Sequence, residues 1–299
     1  MRIAVTGSSG LIGTSLRRSL EEDGHDVLRV VRQGGGPGTT TWDPMAGEID
    51  ASAFEGLDGV VNLAGEPIGA RRWTAEQKTK IRESRTRGTT LLAEALASCR
   101  DRPPVLVSGS AIGFYGDRGD EQLDESSDPG EGFLTDLVLA WESSAAAAEV
   151  AGIRVPRLRT GIVLDAGEGA LAKMLPLFKV GLGGRFGSGR QWMSWVALED
   201  EVRAIRFLLE ADLTGPVNST APNPVTNATF AKALGSALSR PAVMPVPSFG
   251  PKLLLGSELA ENLLFFSQRV MPTALLEAGF EHRHPDLPKA LRAILDKER

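Results

Sequence analysis

The sequence predicts an α/β fold: a doubly wound parallel sheet with a smaller C-terminal α/β lobe. Three observations carry this. Short apolar runs alternate with helix-spaced stretches over the first 164 residues. A glycine-spaced turn, residues 6–13, joins the first run to the first helix. After about Asp165 the pattern gives way to segments punctuated by glycine and proline. Alternating strands and helices place parallel strands in one sheet covered on both faces, the Rossmann-type arrangement.

Residues 2–6 (RIAVT) form a short apolar run suited to a buried parallel strand. Leu11, Ser15, Leu16 and Leu20 have helical spacing over 11–22, and Gly24 closes that helix. Residues 26–31 (DVLRVV) make the next strand, and 34–38 a glycine-rich loop. A third buried strand, 59–63 (GVVNL), ends at Asn62-Leu63-Ala64-Gly65. A long helix is expected over 74–100, a strand over 105–108, an alanine-rich helix over 133–151 and a strand over 153–160. Beyond these, 181–189 reads as loop, 198–211 as helix, 216–224 and 241–251 as extended, and 253–266 and 287–295 as helices. The expected division is a nucleotide-binding unit over 1–164, to which 190–212 returns, and a smaller substrate-side lobe made of 165–189 and 213–299.

Composition narrows the function classes. Net charge is −5, with both signs mixed along the chain, so no footprint for nucleic acid or anionic lipid is evident. Cys99 is the single cysteine and histidine occurs three times, so neither a disulfide nor a metal centre is expected. Met1 leads directly into the first strand without a basic-then-apolar leader, and no apolar run approaches membrane-spanning length. These features fit a cytoplasmic protein that acts on a small molecule.

The turn Thr6-Gly7-Ser8-Ser9-Gly10-Leu11-Ile12-Gly13 has a physical logic. Gly7 permits a tight exit from the strand. Gly10 leaves the backbone bare for a pyrophosphate. Gly13 lets the helix lie close to the sheet. Backbone N–H groups from Ser9 through Gly13 and the helix dipole then favour phosphate. The end of the second strand selects the dinucleotide. An acidic residue there would bind a ribose 2′-hydroxyl, but the sequence has Val31-Arg32-Gln33. A guanidinium suits a 2′-phosphate, so NADP(H) is the expected cofactor; the plainer reading of Arg32 is a solvated loop arginine.

Together with Asn62-Leu63-Ala64-Gly65, this turn resembles the short-chain dehydrogenase/reductase superfamily in its extended, nucleotide-sugar-epimerase-like branch. Further segments narrow the resemblance to an epimerase-like subfamily with its own C-terminal domain. They are 62–68 (NLAGEPI), 72–74 (RWT), 84–85 (SR), 108–111 (SGSA), 114–117 (FYGD), 141–142 (WE), 159–164 (RTGIVL), 181–184 (GLGG) and 187–191 (GSGRQ). The resemblance implies that the backbone of Leu63, Ala64 and Gly65 lines the adenine ribose and phosphate side of the cofactor and that Arg85 and Ser108 contact the cofactor. It also brings Gly161 and Ile162 to the nicotinamide. Asp43 would border the adenine or simply occupy an exposed turn. Arg190, Gln191 and Trp195 would face substrate or pack the two lobes together. A homodimer is an expectation from resemblance alone.

Related dehydrogenases use a serine, a tyrosine and a lysine one helical turn beyond it, whose charge favours the phenolate. Ser110 matches the serine. Aligned through Trp141-Glu142, however, the tyrosine and lysine positions fall near Leu134 and Val138. No lysine occurs between Lys80 and Lys173, and the single tyrosine, Tyr115, has Gly119 four residues on. Tyr115 or a carboxyl group among residues 117–125 is therefore the candidate acid beside Ser110. Two functions follow as expectations: an NADP(H)-dependent oxidoreductase or epimerase on a small polar substrate, or a non-catalytic NADP(H)-binding sensor.

Overall fold

The computed structural model describes residues 1–296. Its centre is an eight-stranded sheet built from β1 (Arg2–Thr6), β2 (Asp26–Val31), β3 (Thr39–Asp43), β4 (Glu48–Ile49), β5 (Gly59–Asn62), β6 (Leu106–Ala111), β7 (Pro156–Thr160) and β8 (Gly215–Ser219). The spatial order is β8-β7-β6-β5-β1-β2-β3-β4, parallel throughout except for the β3–β4 pair. The strand order reverses beside β1, where β2 lies on one side and β5 on the other. That is the switch point at which open α/β sheets bind ligands, beyond the carboxyl ends of the strands.

Strands buried on both faces explain the unbroken apolar runs read from the sequence. On one face Ile3, Val5, Val61, Val107 and Leu158 pack against Leu16 and Leu20 of α1 (Leu11–Glu22). Ile205 and Leu208 of α6 (Leu198–Glu210) complete that layer. On the other face Ala4, Val60 and Leu106 meet Leu92 and Leu96 of α2 (Ala75–Ser98). Full burial of each such leucine or isoleucine contributes about 1.5–3 kcal/mol. Helix α2 starts where Thr74 accepts a hydrogen bond from the Gln77 N–H at 3.1 Å, which satisfies an otherwise orphaned donor.

The helix expected over 133–151 is two helices, α3 (Phe133–Ser143) and α4 (Ala146–Val150). The Ser143 and Ser144 hydroxyls both bond back to the Ala140 carbonyl, and such back-bonding bends or ends a helix. The remaining helices near the site are α5 (Gly169–Lys179), then α6, then α7 (Asn227–Ala237). The C-terminal lobe has its own core, in which Leu171, Leu175, Phe178, Trp195, Phe230, Leu234, Leu287 and Leu291 pack together.

Two features depart from the expected division of the chain. Strand β8 pairs with β7 and closes the edge of the main sheet, although residues 213–299 were expected to belong to the lobe. Leu275 and Phe280 likewise bury in the core formed by α1 and α6. The chain thus crosses back to the sheet a second time after α6. No helix among the described residues is long and apolar enough to cross a membrane.

Candidate functional site

The carboxyl ends of β1, β2, β5, β6 and β7 carry nearly all the residues singled out from the sequence. Gly7 follows β1 with φ +65°, and a Cβ there would lie 2.7 Å from the Leu63 carbonyl carbon. A Cβ on Gly13 would lie 2.2 Å from the Gly7 oxygen, so α1 can approach the turn only as glycine. Gly10 differs: a Cβ there would meet only the Gly7 oxygen at 3.5 Å, so its outer face is open. No side chain caps α1, and its first turn holds no acidic residue. An uncapped, twelve-residue helix behind a bare turn offers free N–H donors and the positive end of a dipole to a phosphate. A dinucleotide pyrophosphate fits this cradle.

Thr6 ties the next loop to the turn. Its hydroxyl donates to Asn62 Oδ1 at 2.7 Å and accepts from the Leu63 and Ala64 N–H groups, both at 3.1 Å. Asn62 Nδ2 donates to Thr89 of α2, which also accepts from Trp141 Nε1 of α3. The whole network is buried, so Leu63-Ala64-Gly65 is held in place by β1, α2 and α3 together. None of these pairings was visible from sequence spacing.

Val31 sits opposite Thr41, so Arg32 leaves β2 beside Trp42 and Asp43. Arg32 is exposed. Asp43 Oδ1 accepts from the Met45 and Ala46 N–H groups, which makes it the anchor of its own turn. Arg85, on α2, is buried against Gly65, and a Cβ on Gly65 would lie 3.0 Å from its Cζ. Nη1 donates to the carbonyls of Glu66 and Ile81, while Nε has no partner. Burial pulls the Arg85 pKa down to about 10, with nearby Glu66 opposing that shift. The Ser108 hydroxyl is also buried without a partner. Unpaired buried donors beside the turn suit a polar, anionic ligand. Gly161 and Ile162 follow β7, where their N–H groups bond the carbonyls of Ser219 and Ser194.

The expected catalytic residues stand differently. Ser110 is buried, and its hydroxyl donates to Glu142 Oε1 at 2.6 Å. Glu142 in turn accepts from Arg159 Nε at 2.8 Å and Nη2 at 3.0 Å. Arg159 Nη1 donates to the Tyr115 oxygen at 3.1 Å, and the Tyr115 hydroxyl donates to Asn218 Oδ1 at 2.8 Å. Tyr115 is fully buried, and burial pushes its pKa up. It is thus a core phenol that links β7 and β8 to the segment after β6, not a proton donor facing substrate. The carboxyl groups of 117–125 are engaged as well. Asp117 accepts from the Ser267 N–H, Asp120 from Trp192, Glu121 from Arg118, and Asp124 from Ser126. Glu125 accepts from the Asn218 and Ala274 N–H groups.

On the lobe side, Trp195 is fully buried with Nε1 donating to the Asn223 carbonyl. Gln191 Nε2 donates to the carbonyls of Phe186 and Leu264. Both pack the lobe, and only Arg190 of the expected trio is exposed.

Glu201 of α6 went unnoticed in the sequence because a helix N-terminal turn rich in acids reads as an ordinary solvated face. It is fully buried and accepts hydrogen bonds from the hydroxyls of Thr160 and Ser219, at the carboxyl ends of β7 and β8. Burial raises its pKa from 4.5 to about 7, against the two hydroxyl bonds. A folded-state value above the unfolded one means that its contribution to stability is fully present below about pH 4.5. It is lost as pH rises through about 7, a change on the order of 3 kcal/mol. Glu201→Gln is expected to remove this dependence. Urea midpoints at pH 5 and pH 8 should show the variant gaining on the wild type as pH rises, and a constant gap would contradict the assignment.

Comparison with known proteins follows the same lines. A model of the NAD dependent epimerase/dehydratase family matches residues 3–220, and a domain of unknown function (DUF1731) matches 246–294. Epimerase family protein MT2273 of Mycobacterium tuberculosis is 44% identical over 293 residues, covering 97% of this chain and 96% of that one. Human epimerase family protein SDR39U1 is 38% identical over 301 residues, covering 99% and 100%. The crystal structure of the human protein (isoform 2) with NADPH superposes with a TM-score of 0.91 at 36% identity, covering 99% of each chain.

Proposed function

The chain belongs to the NAD dependent epimerase/dehydratase family, and from that premise we propose that it binds NADP(H) and works as an oxidoreductase or epimerase on a small polar substrate. The observation that carries the cofactor choice is Arg32, exposed at the end of β2, the strand paired in parallel with β1 whose glycine turn leads into α1. A guanidinium there offers charge-assisted, potentially bidentate bonds to a 2′-phosphate. The human relative crystallised with NADPH supports the same choice.

When bound, NADP(H) supplies or accepts hydride at its nicotinamide ring. The chain's own residues bind and orient. The free N–H groups at the start of α1 would hold the pyrophosphate, while the Gly10 N–H is already donated to the Gly7 carbonyl. The backbone of Leu63-Ala64-Gly65, fixed by Thr6, forms one wall. Arg85 and Ser108 bring unpaired donors to that wall, and Gly161-Ile162 closes the far side. Ser110 cannot donate its proton freely, because Glu142 already accepts it; its oxygen lone pairs remain for a substrate hydroxyl.

The test is incubation of the pure protein with NADPH and a panel of aldehydes, ketones and nucleotide sugars, followed at the absorbance of the reduced nicotinamide and by product chromatography. At least one carbonyl should consume NADPH or one sugar should epimerise. Tight NADPH binding with no turnover across the panel would contradict the catalytic reading.

A further inference from the structure

The two signs of charge, mixed over the chain as a whole, segregate in the C-terminal lobe. Residues 169–198 and 213–257 hold seven lysines and arginines and not one aspartate or glutamate, although the full chain carries −5. The fold brings the two acid-free stretches together. Arg240 Nε donates to the Lys179 carbonyl at 2.9 Å. The Val246 N–H donates to the Arg185 carbonyl at 2.8 Å, and the Gly187 N–H to the Val246 carbonyl at 2.9 Å. Lys179, Arg185 and Arg240 are exposed. The two guanidinium groups bond backbone carbonyls rather than carboxylates.

The same part of the lobe leaves apolar side chains in solvent. Helix α5 ends in a turn where the Leu182 N–H bonds the Leu177 carbonyl, and Leu177, Val180 and Leu182 are exposed around it. Pro241 lies against Gly181 and the Met244 backbone against Gly184, so exposed Val243 and Met244 adjoin that turn. The next helix, α8 (Phe249–Leu255), begins beside the same loop: Lys252 stands 5.6 Å over the Phe265 ring, which is 6.4 Å from Phe186. Helix α8 buries no side chain. Its Phe249, Leu253 and Leu254 are 71%, 77% and 73% exposed. What holds it is polar. Arg72 donates to the Leu253 and Leu254 carbonyls, and Lys252 pairs with Glu261 at 2.6 Å. Glu258, the first acid after the stretch, is paired with Lys78. An apolar helix that packs on nothing, next to an exposed apolar turn, marks an interaction surface.

We propose that this face docks on an anionic phospholipid surface. Peripheral binding combines two features, and both are present: apolar side chains that enter about 5–10 Å into the headgroup and acyl boundary, and cations that attract anionic lipid. The long stems of Lys179, Arg185 and Arg240 let their charged ends reach phosphate while Leu182, Val243 and Phe249 insert. Charge argues against a second copy as the occupant. Two-fold pairing through this face would set the same cations against each other inside an apolar contact. The face takes no part in the glycine turn or Arg32, so cofactor binding serves as an independent control.

The test is co-sedimentation of the full chain with vesicles of phosphatidylcholine alone or mixed with phosphatidylglycerol. The protein should bind the mixed vesicles at least about tenfold more tightly than the neutral ones, and raising salt from about 0.1 to about 1 M should release most of it. Lys179→Gln should weaken binding about fivefold, the effect of one cation near the surface. The double variant Phe249→Ser with Leu253→Ser should weaken it at least about tenfold. Both variants should bind NADPH as the wild type does. No binding to the mixed vesicles would overturn the proposal, as would binding that neither variant changes. A dimer in sedimentation velocity that the double variant abolishes would give the face to a second copy instead. Binding of a soluble acidic amphipathic peptide without any binding of vesicles would give it to a protein.

Discussion

Glu142→Gln is expected to destabilise the protein by about 3–5 kcal/mol, the usual cost of leaving one member of a buried ion pair without its partner. Glutamine keeps the size and one oxygen of the side chain, so the change isolates the charge. Arg159 is 3% exposed, and its guanidinium lies 3.5 Å from the centre of the Phe114 ring. Glutamine's single oxygen can accept from only one of Nε and Nη2, and its amide NH2 would face the guanidinium at the other. Burial works against the charge on Arg159, yet its pKa is held above the ordinary arginine range, because the bonds to Glu142 outweigh that penalty. Arg157, 4.0 Å from Glu142, keeps Glu149 at 3.0 Å as an alternative partner, so it does not add greatly to the loss. The urea midpoint should fall with an unchanged slope. A double variant, Glu142→Leu with Arg159→Met, should recover much of the stability, because no charge is left stranded. A glutamine variant within about 1 kcal/mol of wild type would contradict this account of the pair.

What could be read from the sequence divides along a physical line. Strand β1, helix α1 and strand β2 were placed to the residue, because each is a local pattern: an apolar run, a 3.6-residue period, a glycine after the last turn. The phosphate cradle was legible for the same reason, since three glycines at fixed spacing are a backbone requirement written into adjacent residues. The β3–β4 pair was missed. Its residues, TTTWD and EI, are polar and bury little beyond Trp42, so no hydrophobic period announces them. Helix α5 was missed because Pro176 lies inside it. The Trp141-Glu142 and Arg159 segments were both noticed, yet their meeting across 17 residues and two elements depends on the packing of α3 against the sheet. Tyr115 illustrates the same limit from the other side. A lone tyrosine after the serine motif looks chemical in sequence, and only its burial between Arg159 and Asn218 shows that it holds the strands together.

The proposed choice of NADP(H) turns on Arg32. Its side chain stands exposed where β2 ends, near Asp43, whose Oδ1 anchors its own turn. A charge-assisted bond contributes about 1.5–3 kcal/mol, so the 2′-phosphate should favour NADPH over NADH by roughly 10- to 100-fold. Glutamate at the same position would repel that phosphate and accept from the free hydroxyl, so the preference should reverse in Arg32→Glu. The electrostatic part of the effect should shrink as salt is added, because the site is open to solvent. The direct measurement is a parallel fluorescence titration of wild type and Arg32→Glu with NADPH and NADH at fixed ionic strength. The structure predicts tighter NADPH binding by the wild type and tighter NADH binding by the variant. The same preference in both proteins would contradict it.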